Sequence, residues 1–418
     1  MASVSSNPAG AGGARVGSID ALRGLVMMLM VFVNDIASAP GLPWWMKHYH
    51  TRAGHGNYDG MTWVDWVFPA FLFVVGLSIP SAMRTRAARG EPAWQTTAHV
   101  LWRTGCLLTL GVFMVNRPAD AAALGWPVGL WETLSLTAGI LFVVQLPGRV
   151  PAASWIARAI GAAGLAYLGW VYVGPGGGRL ATQWWGILGL IGWAYLVGCV
   201  VWTFAGTRPA ALAGAAAMLL ALFALEAAGK LPALRLPIGL TTEAFVSLGA
   251  QIGTHGALVV LGMLAATALD QSSARPALGA GGATAVRWLA GFAVMLLAAG
   301  ALCYPLFGMN KDRATPSWAL VSGAGTALLW APLYAWVDAG RRAGRASSWL
   351  LRSAGRNALM IYLLQALLYQ VFALTGFALH GQIGATGPWH ACARGMALAI
   401  LLTLVASGLA RVGVRLRL

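Results

Sequence analysis

The sequence has few charged residues: Asp, Glu, Lys and Arg make up 10% of its 418 residues, whereas hydrophobic residues make up 58%. A soluble globular domain contains about 25% charged residues. So few charges cannot cover the surface of a water-soluble protein of this length, which excludes a soluble enzyme and a nucleic-acid-binding domain. Cysteine is also scarce, because only Cys106, Cys199, Cys303 and Cys392 are present, and no two of them form a CxxC pair. This pattern excludes a disulfide framework and a cysteine-based zinc site.

Apolar segments of about 20 residues recur along the whole chain, which is the length needed to cross the hydrocarbon core of a membrane. They predict an all-α, polytopic transmembrane helical bundle with about 10 to 12 spans. The candidate spans are 16–37, 62–83, 97–116, 128–146, 152–173, 183–205, 209–228, 250–270, 287–307, 317–338, 354–375 and 392–411. Residues 1–14 are small and nearly uncharged, so we predict a disordered tail there and one transmembrane domain over 15–418.

The distribution of basic residues predicts the orientation. With the N-terminus in the cytoplasm, most of the 28 Lys and Arg residues lie on the cytoplasmic side, as expected for membrane proteins. An even number of spans then places both termini in the cytoplasm and the segment 38–61 on the opposite side. The Ala-, Gly- and Arg-rich composition indicates a GC-rich bacterial genome, so we expect a bacterial cytoplasmic membrane.

Ionisable side chains within spans are costly and are functional candidates by default. Asp20 and Arg23 lie three residues apart near the cytoplasmic end of the first span, where a local ion pair is the alternative to a functional role. At the other end of the first two spans, polar side chains are expected to converge at one outward-facing mouth. They are Asn34, Asp35, His55, Asp59 and Asp65.

Three of the seven histidines lie in the segment 38–61. We expect His48 and His50 at the membrane interface beside two tryptophans. The histidine spacing matches no zinc pattern, and no cysteine or clustered carboxylate joins it, so no metal site is predicted. His55 lies between two glycines in a turn that leads into the second span. A neutral imidazole in that place is suited to proton transfer.

Two motifs in this region follow each other closely. RVGSIDALRGLVMMLMVFVND (15–35) and HGNYDGMTWVDWVFPAFLFVVGLSI (55–79) together resemble the opening of the heparan-α-glucosaminide N-acetyltransferase family of transmembrane acyltransferases. The resemblance resumes at MNKDRATPSW (309–318), where Asn310 and Lys311 match, and at GRNALMIYLL (355–364).

The resemblance implies acetyl transfer across the membrane, from cytosolic acetyl-CoA to an amino sugar or glycan on the far side. The family's catalytic histidine falls on His55, and its partner asparagine falls on Asn34. An imidazole can remove a proton from the attacking amine or carry the acetyl group itself, and the sequence leaves both routes open. The residues expected to support this site are Asp65, Asp35, Asp59, Asn310 and Lys311.

The phosphates of CoA need cations at the cytoplasmic mouth. We predict a cofactor site formed by Asp20, Arg23, Arg84, Arg103, Arg356 and Asn357. The Gly355-Arg356-Asn357 sequence is expected to begin a helix whose N-terminus faces the cytosol. The alternative role for each arginine is orientation of the chain or contact with lipid headgroups.

A secondary transporter or a flippase for a sugar-containing envelope precursor is the alternative function, because about twelve spans with scattered charges also fit that class. An internal inverted repeat would favour transport, but the histidine segment and its motif occur once. The sequence leaves the oligomeric state open, with a homodimer among the options.

Overall fold

The computed structural model describes residues 16–56, 58–116, 124–127, 129–147, 151–231, 245–273, 282–339, 344, 346–377 and 387–418. These residues form an almost entirely helical structure, and the strands found among them, β1 (Val144–Gln145) and β2 (Arg415–Leu416), form one antiparallel pair. The predicted all-α fold is therefore confirmed. The expected N-terminal tail lies outside the described residues.

The α-helices are numbered in chain order. They are α1 (Gly17–Ile36), α2 (His50–Ala53), α3 (Val67–Ala88), α4 (Ala93–Val115), α5 (Leu130–Val143), α6 (Pro151–Val171), α7 (Gly186–Ala205), α8 (Pro209–Ala227), α9 (His255–Ser273), α10 (Gly282–Phe307), α11 (Pro316–Tyr334), α12 (Trp349–Arg356), α13 (Ala358–Thr375) and α14 (Pro388–Arg411). Two π-helical segments occur at Leu248–Thr254 and Ala335–Ala339, and short 3-10 helices occur at Trp44–Met46, Trp63–Trp66 and Pro175–Gly177.

Nine helices in the described part of the chain are long and apolar enough to cross a membrane. They are α3, α4, α7, α8, α9, α10, α11, α13 and α14, some of them extended by the adjoining 3-10 or π-helical turns. This agrees with an integral membrane protein. The three other predicted spans are also helical, at α1, α5 and α6, but α5 has only 14 residues and α1 carries Asp20, Arg23 and Asp35.

Helix α1 packs against α3, α11, α12, α13 and α14, and most of its side chains are buried. Its ionisable residues are therefore surrounded by protein, which supplies them with polar partners. The crossing with α12 is close because Gly24 and Gly355 lie at the contact: a β-carbon at Gly24 would collide with the Leu351 carbonyl oxygen, and one at Gly355 with the Asp20 carbonyl oxygen. This close approach places Asp20 beside Arg356.

The bundle has two polar ends. The histidine end contains residues 44–56, 58–62, 308–315 and 387–394, and the arginine end contains residues 84–93 and 349–357. Helix α1 runs from the arginine end to the histidine end. At its first residue, the Gly17 backbone N–H donates to the Asp338 carboxylate. Near its last residue, the Asp35 carboxylate accepts a hydrogen bond from Arg394 at the start of α14. Helix α3 returns in the opposite direction, so the two ends are joined by the motif-bearing helices.

Candidate active site

A cavity of about 610 Å³ lies at the histidine end, and we call it the histidine cavity. Its apolar wall comes from α1, α3 and α7, for example from Val33, Phe68 and Leu190. Its polar lining consists of Asn34, His48, His50, His55, Gln251, His255, Lys311 and Asp312. The structure therefore brings His55 and Asn34, which lie in separate sequence motifs, to the same cavity.

Asp65 organises the loop that carries the histidines. Its carboxylate accepts hydrogen bonds from the backbone N–H groups of Tyr49 and Thr62, both at 3.0 Å, and lies 2.7 Å from His48 Nδ1. Lys311 Nζ lies 3.6 Å from the same carboxylate. The Asp65 side chain is fully buried, and its oxygens are occupied by these partners. Asp65 therefore fixes the loop against the start of the Trp63–Trp66 turn.

The Asp312 carboxylate contacts the imidazole rings of both His55 and His50. Its Oδ2 lies 3.2 Å from His55 Nδ1, and its Oδ1 lies 3.3 Å from His50 Nδ1. The rings of His50 and His55 are in contact, with centroids 4.0 Å apart and their planes tilted by 33°. When the His55 Nδ1–H donates to the carboxylate, the lone pair of the neutral ring lies on Nε2. The His55 side chain is 79% exposed, so this nitrogen can reach a substrate.

The charges around this pair are set by local contacts. Burial raises the pKa of Asp312, but the charge and hydrogen bond of His50, the hydrogen bond of His55 and the charge of Lys311 outweigh it and hold the pKa below its usual value. Burial lowers the pKa of His50. Burial also lowers the pKa of Lys311, against the attraction of Asp65 and Asp312. Asp312 is therefore more acidic, and His50 less basic, than the same groups in water.

Asn34 is on the last turns of α1 and is exposed to the cavity. Its amide Nδ2 donates to Gln365 Oε1 at 3.3 Å, and the buried Gln365 in turn donates to the Val31 carbonyl at 2.9 Å. One amide hydrogen of Asn34 is used in this contact, and a primary amide has two. The other hydrogen is the donor that Asn34 can offer to a bound molecule.

The Asn310 side chain joins two loops of the histidine end. Its Nδ2 donates to the carbonyl oxygens of Gly56 at 2.7 Å and Tyr58 at 2.8 Å, and only 1% of the residue is exposed. It therefore ties the loop that carries His55 to the loop that carries Asp312. Lys311 faces the histidine cavity, 3.0 Å from His48 Nδ1.

The expectation that Asp35 and Asp59 lie at this mouth is corrected by the structure. Asp35 is buried, accepts hydrogen bonds from Tyr369 at 2.6 Å and Arg394 at 2.9 Å, and does not line the cavity. Successive helical residues are rotated by about 100°, so Asn34 and Asp35 face different neighbours. Asp59 accepts from Tyr304 and from the Met309 backbone N–H, both at 2.7 Å, and stabilises the loop from outside the cavity.

His48 and His50, which the sequence places at the membrane interface, both line the cavity. The Thr62 hydroxyl donates to the Lys47 carbonyl oxygen at 2.7 Å and lies 3.2 Å from the Asp65 carboxylate, which anchors the segment that precedes the two histidines. The sequence argument against a metal site relied on the lack of a clustered carboxylate. Asp312 supplies that carboxylate from a loop 257 residues further along the chain.

A second cavity, of about 350 Å³, lies at the arginine end, and we call it the arginine cavity. Its polar lining consists of Arg23, Ser78, Arg86, His99, Arg103, Tyr195, Arg356 and Tyr362. Met30 and Ile187 line both this cavity and the histidine cavity. The two cavities therefore lie next to each other inside the bundle and share these wall residues, between α1 and the start of α7.

The basic residues of the arginine cavity differ in how they are held. Arg23 contacts Asp20 at 3.5 Å and the Ser78 hydroxyl, and Arg356 contacts Asp20 at 3.3 Å. Asp20 is thus the carboxylate that both arginines share, rather than a cavity residue itself. Arg103 lies over the Tyr195 ring at 4.6 Å, and its buried Nε has no hydrogen-bond partner among the described residues.

Two predicted cofactor residues lie elsewhere. Arg84 pairs with Asp270 at the end of α9 and does not line the arginine cavity. Asn357 donates to the Ser353 carbonyl at 2.9 Å, between the end of α12 and the start of α13. Arg356 therefore ends one helix instead of beginning another, and the expected helix N-terminus at Gly355 is not formed.

Asp312 and His255 line the histidine cavity but were not predicted from the sequence. Asp312 adjoins the recognised Asn310-Lys311 pair. His255 follows the π-helical segment, and its buried Nδ1 has no hydrogen-bond partner among the described residues. Its ring packs edge-on against Phe68, with centroids 5.5 Å apart. A lone histidine in the apolar run 250–270 is the signal that could have identified it.

Comparison with known proteins gives two kinds of match. Residues 15–148 match a family described as a domain of unknown function, DUF5009. The human protein heparan-alpha-glucosaminide N-acetyltransferase is 31% identical over 136 residues, which cover 32% of this chain and 19% of the human protein. The mouse protein of the same name is 31% identical over 135 residues, covering 31% of this chain and 19% of its own length.

These similarities confirm the resemblance that the motifs indicate. The DUF5009 match includes α1, the histidine loop and α3, and it ends before the loop that carries Lys311 and Asp312. The alignment spans about a fifth of the length of the mammalian proteins.

Proposed function

We propose that this protein is a membrane acetyltransferase that moves an acetyl group from acetyl-CoA to the amine of an amino sugar or glycan. The observation that carries the proposal is the pair of adjacent cavities that share Met30 and Ile187 in their walls. One cavity is lined by arginines and the other by His55 and Asn34. Such a pair offers a donor and an acceptor separate sites that adjoin each other. The similarity to heparan-alpha-glucosaminide N-acetyltransferases supports this class of reaction.

The chemistry follows from the His55–Asp312 contact. The carboxylate accepts the Nδ1–H, which leaves the Nε2 lone pair free to take a proton from the acceptor ammonium. The amine then attacks the thioester carbonyl, the carbon–sulfur bond breaks, and the CoA thiolate takes up the proton that the amine loses on acylation. In the two-step variant, Nε2 attacks first and carries the acetyl group to the amine. Both routes need the same nitrogen and the same tautomer.

Asn34 is suited to stabilise the charge that develops on the thioester oxygen. It lines the cavity with His55, and one of its two amide hydrogens is committed to Gln365. Loss of a single oxyanion donor costs about 2.7–4 kcal/mol. The second amide hydrogen is the one that Asn34 can donate to the thioester oxygen.

The arginine cavity is the proposed site of the CoA phosphates, since charge-assisted bonds from Arg to phosphate are among the stronger protein contacts. Arg23, Arg86, Arg103 and Arg356 converge there. With acetyl-CoA in the cytosol, the arginine end and both termini are cytoplasmic and the histidine end faces outward. The basic loops at the arginine end agree with this orientation.

Acceptor-dependent release of CoA tests the proposed function directly. Purified protein in detergent receives acetyl-CoA with and without a panel of amino sugars, and free thiol is measured. We expect thiol release that requires an acceptor, together with the N-acetylated sugar as the product. A transporter or flippase gives neither. Absence of acceptor-dependent release across the panel, together with sugar uptake into proteoliposomes, would favour the alternative function.

Sidedness is tested with sealed membrane vesicles. External acetyl-CoA is expected to support transfer in inside-out vesicles, which expose the cytoplasmic face. Right-side-out vesicles are expected to be inactive with external acetyl-CoA, because the thioester cannot cross the lipid. The reverse result would invert the proposed orientation.

Arginine substitutions test the position of the CoA head. Arg103→Ala and Arg356→Ala are expected to weaken CoA binding roughly 10- to 150-fold, because a hydrogen bond to a charged group is worth about 1.5–3 kcal/mol. Arg84→Ala is the matched control: it removes an arginine of the same end that pairs with Asp270 outside the cavity. Calorimetry measures the three affinities. Equal affinity in all variants and the parent protein would place the CoA head elsewhere.

A further inference from the structure

The cluster of His50, His55 and Asp312 has the composition and spacing of a transition-metal site. One ligand atom from each residue lies within 4.8 Å of the other two. In tetrahedral zinc sites the ligand atoms lie about 2.0 Å from the metal, which sets them roughly 3.3 Å apart. His55 Nδ1 lies 3.2 Å from Asp312 Oδ2, and His50 Nδ1 lies 3.3 Å from Asp312 Oδ1. Because each nitrogen faces a different carboxylate oxygen, a rotation of the carboxylate together with small movements of the two rings would bring one ligand atom from each residue onto one ion.

The surroundings favour a nitrogen-binding cation. Two imidazoles and one carboxylate suit Zn²⁺, whereas Mg²⁺ prefers six oxygen ligands. The Asp312 backbone N–H lies 3.3 Å from the Tyr58 hydroxyl oxygen, which holds the loop in place. His55 is largely exposed, so an ion can enter from the outward side, and the fourth position remains open to water.

We propose that His50, His55 and Asp312 form a zinc site that inhibits acetyl transfer when it is filled. Zinc would bind His55 through Nδ1 and displace its hydrogen bond to Asp312. A neutral imidazole that ligates a metal through Nδ1 carries its proton on Nε2. The Nε2 lone pair, which the proposed reaction requires, is then absent. The binding step does not depend on the proposed function, whereas the inhibitory step rests on it.

Binding is tested first, on the tag-free full-length protein in detergent without acetyl-CoA or acceptor. Calorimetric titration with ZnCl₂ is expected to show one specific ion per chain, and titration with MgCl₂ is expected to show none. His50→Ala and Asp312→Asn are expected to weaken zinc binding at least tenfold. Substituting a residue that only hydrogen-bonds a metal ligand already lowers metal affinity about 10- to 100-fold, and these two residues are the proposed ligands themselves. His390→Ala is the matched control: an exposed histidine at the same end, expected to keep the parental affinity.

A Co²⁺ titration of the parent protein gives a test that requires no variant to fold. We expect visible d–d absorption that saturates at one equivalent and disappears when Zn²⁺ is added. Parent protein that binds neither ion, or variants that bind as tightly as the parent, would overturn the proposal.

Inhibition is tested second, as the ratio of acetyl-transfer rates with and without zinc for each variant. We expect strong inhibition of the parent and of His390→Ala, reversed by a chelator, and weaker inhibition of His50→Ala relative to its own zinc-free rate. Zinc binding without any acetyl transfer would contradict the proposed function and leave the site intact. Acetyl transfer without zinc binding would contradict only the site.

Discussion

His55→Ala is expected to abolish acetyl transfer, with a loss of at least 10²-fold in kcat, the lower range for removal of a general base. If the imidazole carries the acetyl group, the loss is larger, because no other nucleophile replaces it. CoA binding is expected to stay at the parental value, since His55 does not line the arginine cavity. Rates of N-acetylated product formation and CoA affinities from calorimetry measure the two effects separately.

The matched control for His55→Ala is His390→Ala. Both residues are exposed histidines of the histidine end, but His390 lies at the start of α14 and does not line the histidine cavity. Its substitution is expected to keep the parental rate. A folded His55→Ala protein that transfers acetyl groups at the parental rate would refute the mechanism and leave only the fold and its cavities.

The helical fold could be predicted from the sequence because hydrophobic length is a local property. The predicted segment 209–228 corresponds to α8 at Pro209–Ala227, and the other segments agree with helices within a few residues. The π-helical segment before α9 was not predicted, because it depends on tertiary contacts such as the cap that Glu226 gives to Ser247 and Gly249. Such contacts have no signature in the hydrophobic pattern.

The candidate site could be predicted only in part. His55 and Asn34 came from motifs, and both line the histidine cavity. Asp35 was included because it is adjacent to Asn34 in sequence, but adjacent residues of a helix point in different directions. Asp312 was missed because its partner is 257 residues away, and a contact of that range is set by how α10 and α11 pack. Asn310 and Lys311 on the same loop were found because they match a motif, whereas nothing in the sequence marked Asp312.

Asp312→Asn is expected to lower kcat by about 10²-fold or more, because Asp312 holds His55 in the reactive tautomer. An asparagine can present its amide N–H to Nδ1, which favours the tautomer with the proton on Nε2 and removes the base; an analogous change in the Ser-His-Asp triad costs about 10⁴-fold in kcat. KM for the acceptor and CoA affinity are expected to change little, since Asp312 acts through His55.

Rescue separates this positioning role of Asp312 from a general effect on folding. Asp312→Glu keeps a carboxylate that can accept the His55 Nδ1–H, so it is expected to recover part of the lost rate. Arg313→Gln is the control and is expected to keep the parental rate, because Arg313 is the next residue of the same loop and does not line the histidine cavity. Product formation is measured for all three variants under saturating acetyl-CoA. If Asp312→Asn and Asp312→Glu lose the same activity in kcat, or if Asp312→Asn raises KM alone, the carboxylate does not set the tautomer.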